Sequence, residues 1–178
     1  MRLTLLTHYR EIGKRSNTGQ LVLRCLGDAA EQVQWSRTVP PPKLLKDIAA
    51  GGVALVWPGA DDHGQATASC GQFIVIDGTW LSARKIFQRS PYLHALPRVS
   101  LVPTAASLYN LRPNQKPGGL CTAECVVAVL QAVGRPDDAA RLQAQFLAFI
   151  KSPTMLRGEA RARDVAKVLD SPATDAIR

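Results

Sequence analysis

The sequence is short of the residues that most often advertise a function. Its four cysteines, Cys25, Cys70, Cys121 and Cys125, form no C-x-x-C pair, and its three histidines, His8, His63 and His94, are scattered. A zinc site gathers about four such ligands at close spacing, so no metal is expected. Cys121 and Cys125 are four apart and would share one helix face; the thiols read as free and packed as small hydrophobes. No apolar run reaches the ~18 residues of a membrane span, so no membrane partner is expected. The run Leu3 to Leu6 is too short, and too uncharged at its start, for a secretory signal; a cytoplasmic protein is expected. Nothing matches G-x-x-x-x-G-K-[ST], G-x-G-x-x-G or G-x-S-x-G. That removes the phosphate-loop, dinucleotide-fingerprint and nucleophile-elbow assignments common among α/β proteins.

Acidic residues are also scarce, 14 Asp and Glu against 22 Lys and Arg, for a formal net charge of +8. Such a balance suits a polyanionic partner, because phosphate contacts release counterions and dominate affinity. It equally suits a protein that only needs solubility, and charge alone does not choose. The 178 residues, 46% of them hydrophobic, are enough for one domain with a real core.

What is present has a regular order. Leu3 to Thr7 reads as a buried strand, followed by a polar loop from His8 to Arg15. Ser16, Asn17 and Thr18 offer caps for a helix over Gly19 to Leu26, which Gly27 would stop. Val33 to Trp35 reads as a short strand. Pro40, Pro41 and Pro42 lead into a helix from Lys43 to Ala50. Val53 to Trp57 and Phe73 to Ile76 are continuous apolar strands on either side of a polar loop, Ala60 to Gly71. A helix through Gln88 follows the second. A strand is expected over Val99 to Val102, an irregular segment over Thr104 to Gly119, and a helix over Thr122 to Val133 capped by Thr122. A last helix opens at Pro136, with Leu142, Phe146, Leu147 and Ile150 facing the core. Apolar strands alternating with helices argue for an α/β fold with a mostly parallel sheet and flanking helices. One domain is expected over residues 1–157, with a charged tail, helical or frayed, over 158–178.

In open α/β sheets, ligands sit outside the C-terminal ends of the strands. Three loops stand out by that rule: His8 to Thr18, Trp57-Pro58-Gly59, and Asp77-Gly78-Thr79-Trp80. Each also has a plain structural reading. Asp77 would cap the helix that begins near Thr79 or Trp80, and Trp80 would pack under the sheet. His8 would be a satisfied loop histidine, and Glu11 and Arg15 an exposed ion pair of little weight.

Taken together these blocks resemble the DTW-domain family. Thr7-His8-Tyr9-Arg10-Glu11 followed by Arg15-Ser16-Asn17-Thr18-Gly19 is similar to its H-x-x-E…S-N-T pattern, and Ile76-Asp77-Gly78-Thr79-Trp80 to its D-x-T-W motif. Leu55-Val56-Trp57-Pro58-Gly59 resembles its aromatic-Pro-Gly strand end. Tyr109-Asn110-Leu111-Arg112 and Leu120-Cys121-Thr122-Ala123-Glu124 resemble its last block, usually L-S-T-x-E-A. The blocks fall in order over residues 7 to 124, about two-thirds of the chain. Cys121 and Cys125 stand where serine and alanine are usual, and many members begin with a C-x-x-C segment that would lie before the start of this sequence.

The resemblance implies a SPOUT-like fold, with allowance for a knot. It implies transfer of the 3-amino-3-carboxypropyl arm of S-adenosylmethionine to N3 of a tRNA uridine, releasing methylthioadenosine. A SPOUT-type methyltransferase and a non-catalytic RNA-binding module are the competing classes. In the roles so implied, Asp77, Thr79 and Trp80 are catalytic, Asp77 either moving the N3 proton or fixing the cofactor loop. Leu55, Trp57, Pro58, Gly78, Leu120, Thr122, Glu124 and Arg112 are the expected cofactor contacts. His8, Arg10, Glu11, Lys14, Arg15, Ser16, Asn17, Thr18, Arg84 and Lys85 are the expected tRNA contacts, and a monomer is expected.

Overall fold

Runs of apolar residues that hide both faces of a strand need helices above and below them, and the chain supplies both layers. The computed structural model of the chain describes residues 1–58, 69–101, 107–109 and 119–152. In order, it forms β1 (Arg2–Thr7), α1 (Gly19–Leu26), β2 (Ala30–Gln34), α2 (Pro42–Ala50), β3 (Val53–Val56) and β4 (Gln72–Asp77). Then come α3 (Trp80–Gln88), β5 (Arg98–Val99), α4 (Thr122–Ala132) and α5 (Pro136–Ile150). The strands make one five-stranded sheet in the order β2-β1-β4-β3-β5, with every pair parallel. This is the α/β class and the element order expected from the sequence. Most of the expected loop over Ala60 to Gly71, most of the segment Thr104 to Gly119, and the tail 158–178 lie outside the described residues.

Two boundaries differ for physical reasons. The second strand starts at Ala30, earlier than expected, and Trp35 lies beyond its end. It pairs with β1 alone, so it stays half-buried and reads Ala-Glu-Gln-Val-Gln, with little apolar signal. The last strand is only Arg98–Val99; Val102 falls outside the described residues.

Side chains alternate across the sheet and sort into two cores. Leu3, Leu5, Phe73 and Val75 pack with α1, α4 and α5, through Val22, Val126, Leu130, Leu142 and Phe146. Leu6, Ile74, Ile76 and Leu55 pack on the other face with Leu44 of α2 and Ala83 and Ile86 of α3. The same alternation sends Thr7 and Asp77, the last residues of β1 and β4 and partners in register, toward the layer that holds α1 and α4.

Candidate functional site

The sheet order creates a crevice. From β1 the chain crosses by α1 to β2 on one side; from the neighbouring β4 it leaves by α3 toward β5 on the other. Loops that diverge from adjacent parallel strands open a gap at the strands' C-terminal ends, the usual ligand position in open α/β sheets. Here that gap lies between Thr7-His8 and Asp77-Gly78.

Asp77 organises it. Its carboxylate is 1% exposed. One oxygen accepts from Thr7 Oγ1 at 3.2 Å and from Asn17 Nδ2 at 2.8 Å; the other accepts from Thr122 Oγ1 at 2.8 Å. Its main-chain carbonyl accepts from the His8 N–H at 3.0 Å. Side chains 70, 60 and 45 positions away along the chain therefore meet on one carboxylate. Each hydrogen bond to a carboxylate contributes on the order of 1.5–3 kcal/mol net, while burying the charge costs several kcal/mol. Burial, with the Glu11 charge adding to it, pushes the carboxyl above its ordinary value against the pull of the three donors.

Asp77 is not the cap of the following helix. Thr79 caps α3, its hydroxyl accepting from Ser82 N at 3.2 Å. Nor is Thr122 the cap of α4. Cys121 occupies that position in a capping box with Glu124, which leaves the Thr122 hydroxyl to reach Asp77. Burial pushes the Cys121 and Cys125 thiols up, Cys125 to about 12, with the Glu124 charge adding to it. Both stay protonated and unreactive.

The first loop is built inward. Asn17 is 2% exposed; it donates to the Glu11 carbonyl at 3.0 Å and accepts from Gly19 N at 2.7 Å. Thr18, 4% exposed, accepts from Ala123 N at 3.3 Å. Glu11 is buried and pairs with Lys14 at 2.8 Å. Glu11, Asn17 and Thr18, which the sequence suggested as tRNA contacts, are therefore buried and hold the loop's architecture. Ser16 contributes its carbonyl to the Tyr109 hydroxyl. His8 is half-buried, its Nδ1 accepts from Arg10 N at 3.2 Å, and burial together with Arg10, Lys14 and Lys85 lowers its pKa, while Glu11 opposes this. Arg10, Lys14, Arg15, Arg84 and Lys85 are exposed.

Of the expected cofactor contacts, Trp57 and Trp80 stack at 5.6 Å between ring centroids, and Trp57 stacks on Phe87 at 4.4 Å. Pro58 is exposed beyond β3, and Gly78 and Leu120 are half-buried. The Leu55 side chain is 0% exposed, packed in the core. Glu124 accepts from Ser107 Oγ at 2.6 Å, Leu108 N at 2.8 Å and Cys121 N at 2.8 Å, and so ties the 107–109 segment to α4. Arg112 lies outside the described residues. Two participants were not anticipated. Thr7 emerges only once the β1–β4 register is known. At Gly19, an added Cβ would lie 2.9 Å from Asn17 Oδ1 and 3.0 Å from Asp77 Oδ2, so the helix can approach the carboxylate only without a side chain. Glycine directly after Ser-Asn-Thr was the available sign.

Residues 1–153 match the model of the DTW domain. A stretch of 65 residues is 37% identical to tRNA-uridine aminocarboxypropyltransferase 2 of Drosophila melanogaster, covering 36% of this chain and 26% of the fly protein. The matched stretch thus spans about a quarter of that relative's length. No solved structure matches the chain.

Proposed function

The chain belongs to the DTW-domain family, and from that premise we propose that it transfers the 3-amino-3-carboxypropyl group of S-adenosylmethionine to N3 of a uridine in tRNA. The observation that carries the reading is the convergence of Thr7, Asn17 and Thr122 on Asp77 at the β1/β4 switch point. The residues around that crevice fit the co-substrate. Trp80, stacked on Trp57 beyond the ends of β4 and β3, offers an aromatic ring suited to an adenine and tolerant of a sulfonium cation, and the main chain at Pro58, Gly78 and Leu120 supplies polar groups. Bound there, S-adenosylmethionine supplies a sulfonium whose arm carbon is open to nucleophilic attack with methylthioadenosine as leaving group.

The chain's task is orientation, since position decides which carbon next to the sulfonium reacts. In our reading Asp77 is a positioning residue: it locks the loops after β1 and β4 and the start of α4 into one rigid wall, and the uridine N3 proton leaves to solvent as the N3–carbon bond forms and the carbon–sulfur bond breaks. Thr79 sets the first turn of α3 and with it the placement of Trp80. Glu124 acts through the 107–109 segment, and Arg112 remains the candidate for the arm's carboxylate or an RNA phosphate. The test is incubation with tRNA and S-adenosylmethionine, followed by mass spectrometry of the digested nucleosides. Aminocarboxypropyluridine together with methylthioadenosine is expected. A methylated nucleoside with S-adenosylhomocysteine would replace this reading by a methyltransferase, and tRNA binding with no product would leave a binding module.

A further inference from the structure

Beside the crevice stands an aromatic ladder that the reading above does not use. Trp35 is 7% exposed, and its indole N–H donates to the buried Ser90 hydroxyl at 2.9 Å, which fixes the ring. His8 stacks on Trp35, 6.0 Å between centroids and 22° between planes. Tyr9 stacks on His8 at 4.7 Å and 28°. The ladder runs from core to solvent: Trp35 is buried, His8 half-buried, and Tyr9 53% exposed. Arg10 holds the outer rung, its Nε donating to the Tyr9 hydroxyl at 2.9 Å with the guanidinium 5.6 Å from the ring centroid. The His8 N–H donates to the Asp77 carbonyl, so the ladder is registered to the crevice.

Exposed cations neighbour the ladder. Lys14 and Arg15 follow it in the same loop. Lys85 of α3 lies near enough for its charge to act on His8, and Arg84 is its exposed neighbour. Among the described residues, Arg15, Arg84 and Lys85 have no carboxylate partner. A flat ring held rigidly in water and flanked by unpaired cations is the combination that takes an unpaired nucleotide, its base on the ring and its phosphates on the charges.

We propose that Tyr9 is a stacking platform for an unpaired RNA base, with Arg15, Arg84 and Lys85 holding the phosphates on either side of it. The inference deepens the function proposed above and rests on its RNA substrate. Stacking asks for a ring and not for a hydroxyl, and that separates it from other roles for Tyr9. Binding of a tRNA transcript to the full chain is measured by fluorescence anisotropy for the parent, Tyr9→Phe and Tyr9→Ala proteins. Affinity for S-adenosylmethionine is measured alongside by calorimetry. The expected result is a loss on the order of tenfold in tRNA affinity for Tyr9→Ala and a change within about twofold for Tyr9→Phe. Cofactor affinity should stay level in both. Unchanged tRNA affinity in Tyr9→Ala would overturn the inference. Equal losses in both variants would overturn it too, since the hydroxyl and its Arg10 contact would then be what matters. A parent chain that binds tRNA yet transfers nothing would sink the proposed reaction and leave the stacking result standing. A parent chain that binds no tRNA would sink both.

Discussion

Asp77 offers two oxygens to three donors, and that arithmetic shapes what its replacement should do. Asparagine keeps one acceptor and gains an amide donor. With its oxygen toward Asn17 and Thr7, its amide faces Thr122, whose hydroxyl can turn to accept. The substitution leaves the wall nearly satisfied, at a cost of about 1–3 kcal/mol, which lowers the melting temperature by a few degrees at about 2–4 °C per kcal/mol. A positioning role then predicts for Asp77→Asn a fall in turnover no larger than about tenfold, a raised KM, and a pH–rate profile of unchanged shape. Thr122→Val should give the same pattern, because it loosens the same wall from the other side. A general base behaves otherwise: its loss costs on the order of a hundredfold or more and removes the acidic limb of the profile. Steady-state kinetics across pH on the two variants decides, and a hundredfold loss confined to Asp77→Asn would return Asp77 to the chemistry.

At the scale of the element, α4 begins with an unusual cap. A thiol is a weak acceptor, yet Cys121 occupies the N-cap and Glu124 closes the box from the third helical position. Serine caps helices well, so Cys121→Ser should raise stability by about 0.5 kcal/mol. Glu124→Ala removes three hydrogen bonds at once, to Ser107, Leu108 and Cys121. It should destabilise by about 1–3 kcal/mol through the unpaired main-chain donors, and Glu124→Gln should recover only part, because an amide nitrogen cannot accept. Thermal melts check both; a Glu124→Ala protein that melts with the parent would show that the 107–109 segment does not depend on this carboxylate. The misplaced cap also shows where elements are legible. Helix α1 was read to its ends because asparagine and threonine before it and Gly27 after it are strong local signals. The start of α4 at Thr122 is legible too, but its cap falls one residue earlier than the sequence suggests, because threonine is a usual cap and cysteine is not. Strand β2 was trimmed because an edge strand of Glu, Gln and Val carries no clear alternation.

For the whole molecule, the class was legible and the arrangement was not. Apolar runs at β3 and β4 announce a parallel sheet, but no local pattern says that β4 inserts between β1 and β3. That insertion creates the crevice, pairs Thr7 with Asp77, and turns three distant blocks into one site. The net charge of +8 is likewise a global quantity whose meaning depends on placement. Arg10, Lys14, Arg15, Arg84 and Lys85 are all exposed, and the Lys85 charge helps to lower the His8 pKa. If they meet phosphate, tRNA binding should weaken with salt, the slope of log affinity against log salt being roughly −0.7 to −0.9 per phosphate neutralised. The double variant Arg84→Gln/Lys85→Gln should then flatten the slope by roughly 1.4 to 1.8. Tyr9→Ala removes no charge, so it should lower affinity at every salt concentration and leave the slope as it is. Anisotropy titrations across a salt series separate these contributions. A double variant with the parent's slope would place the phosphate contacts elsewhere on the surface.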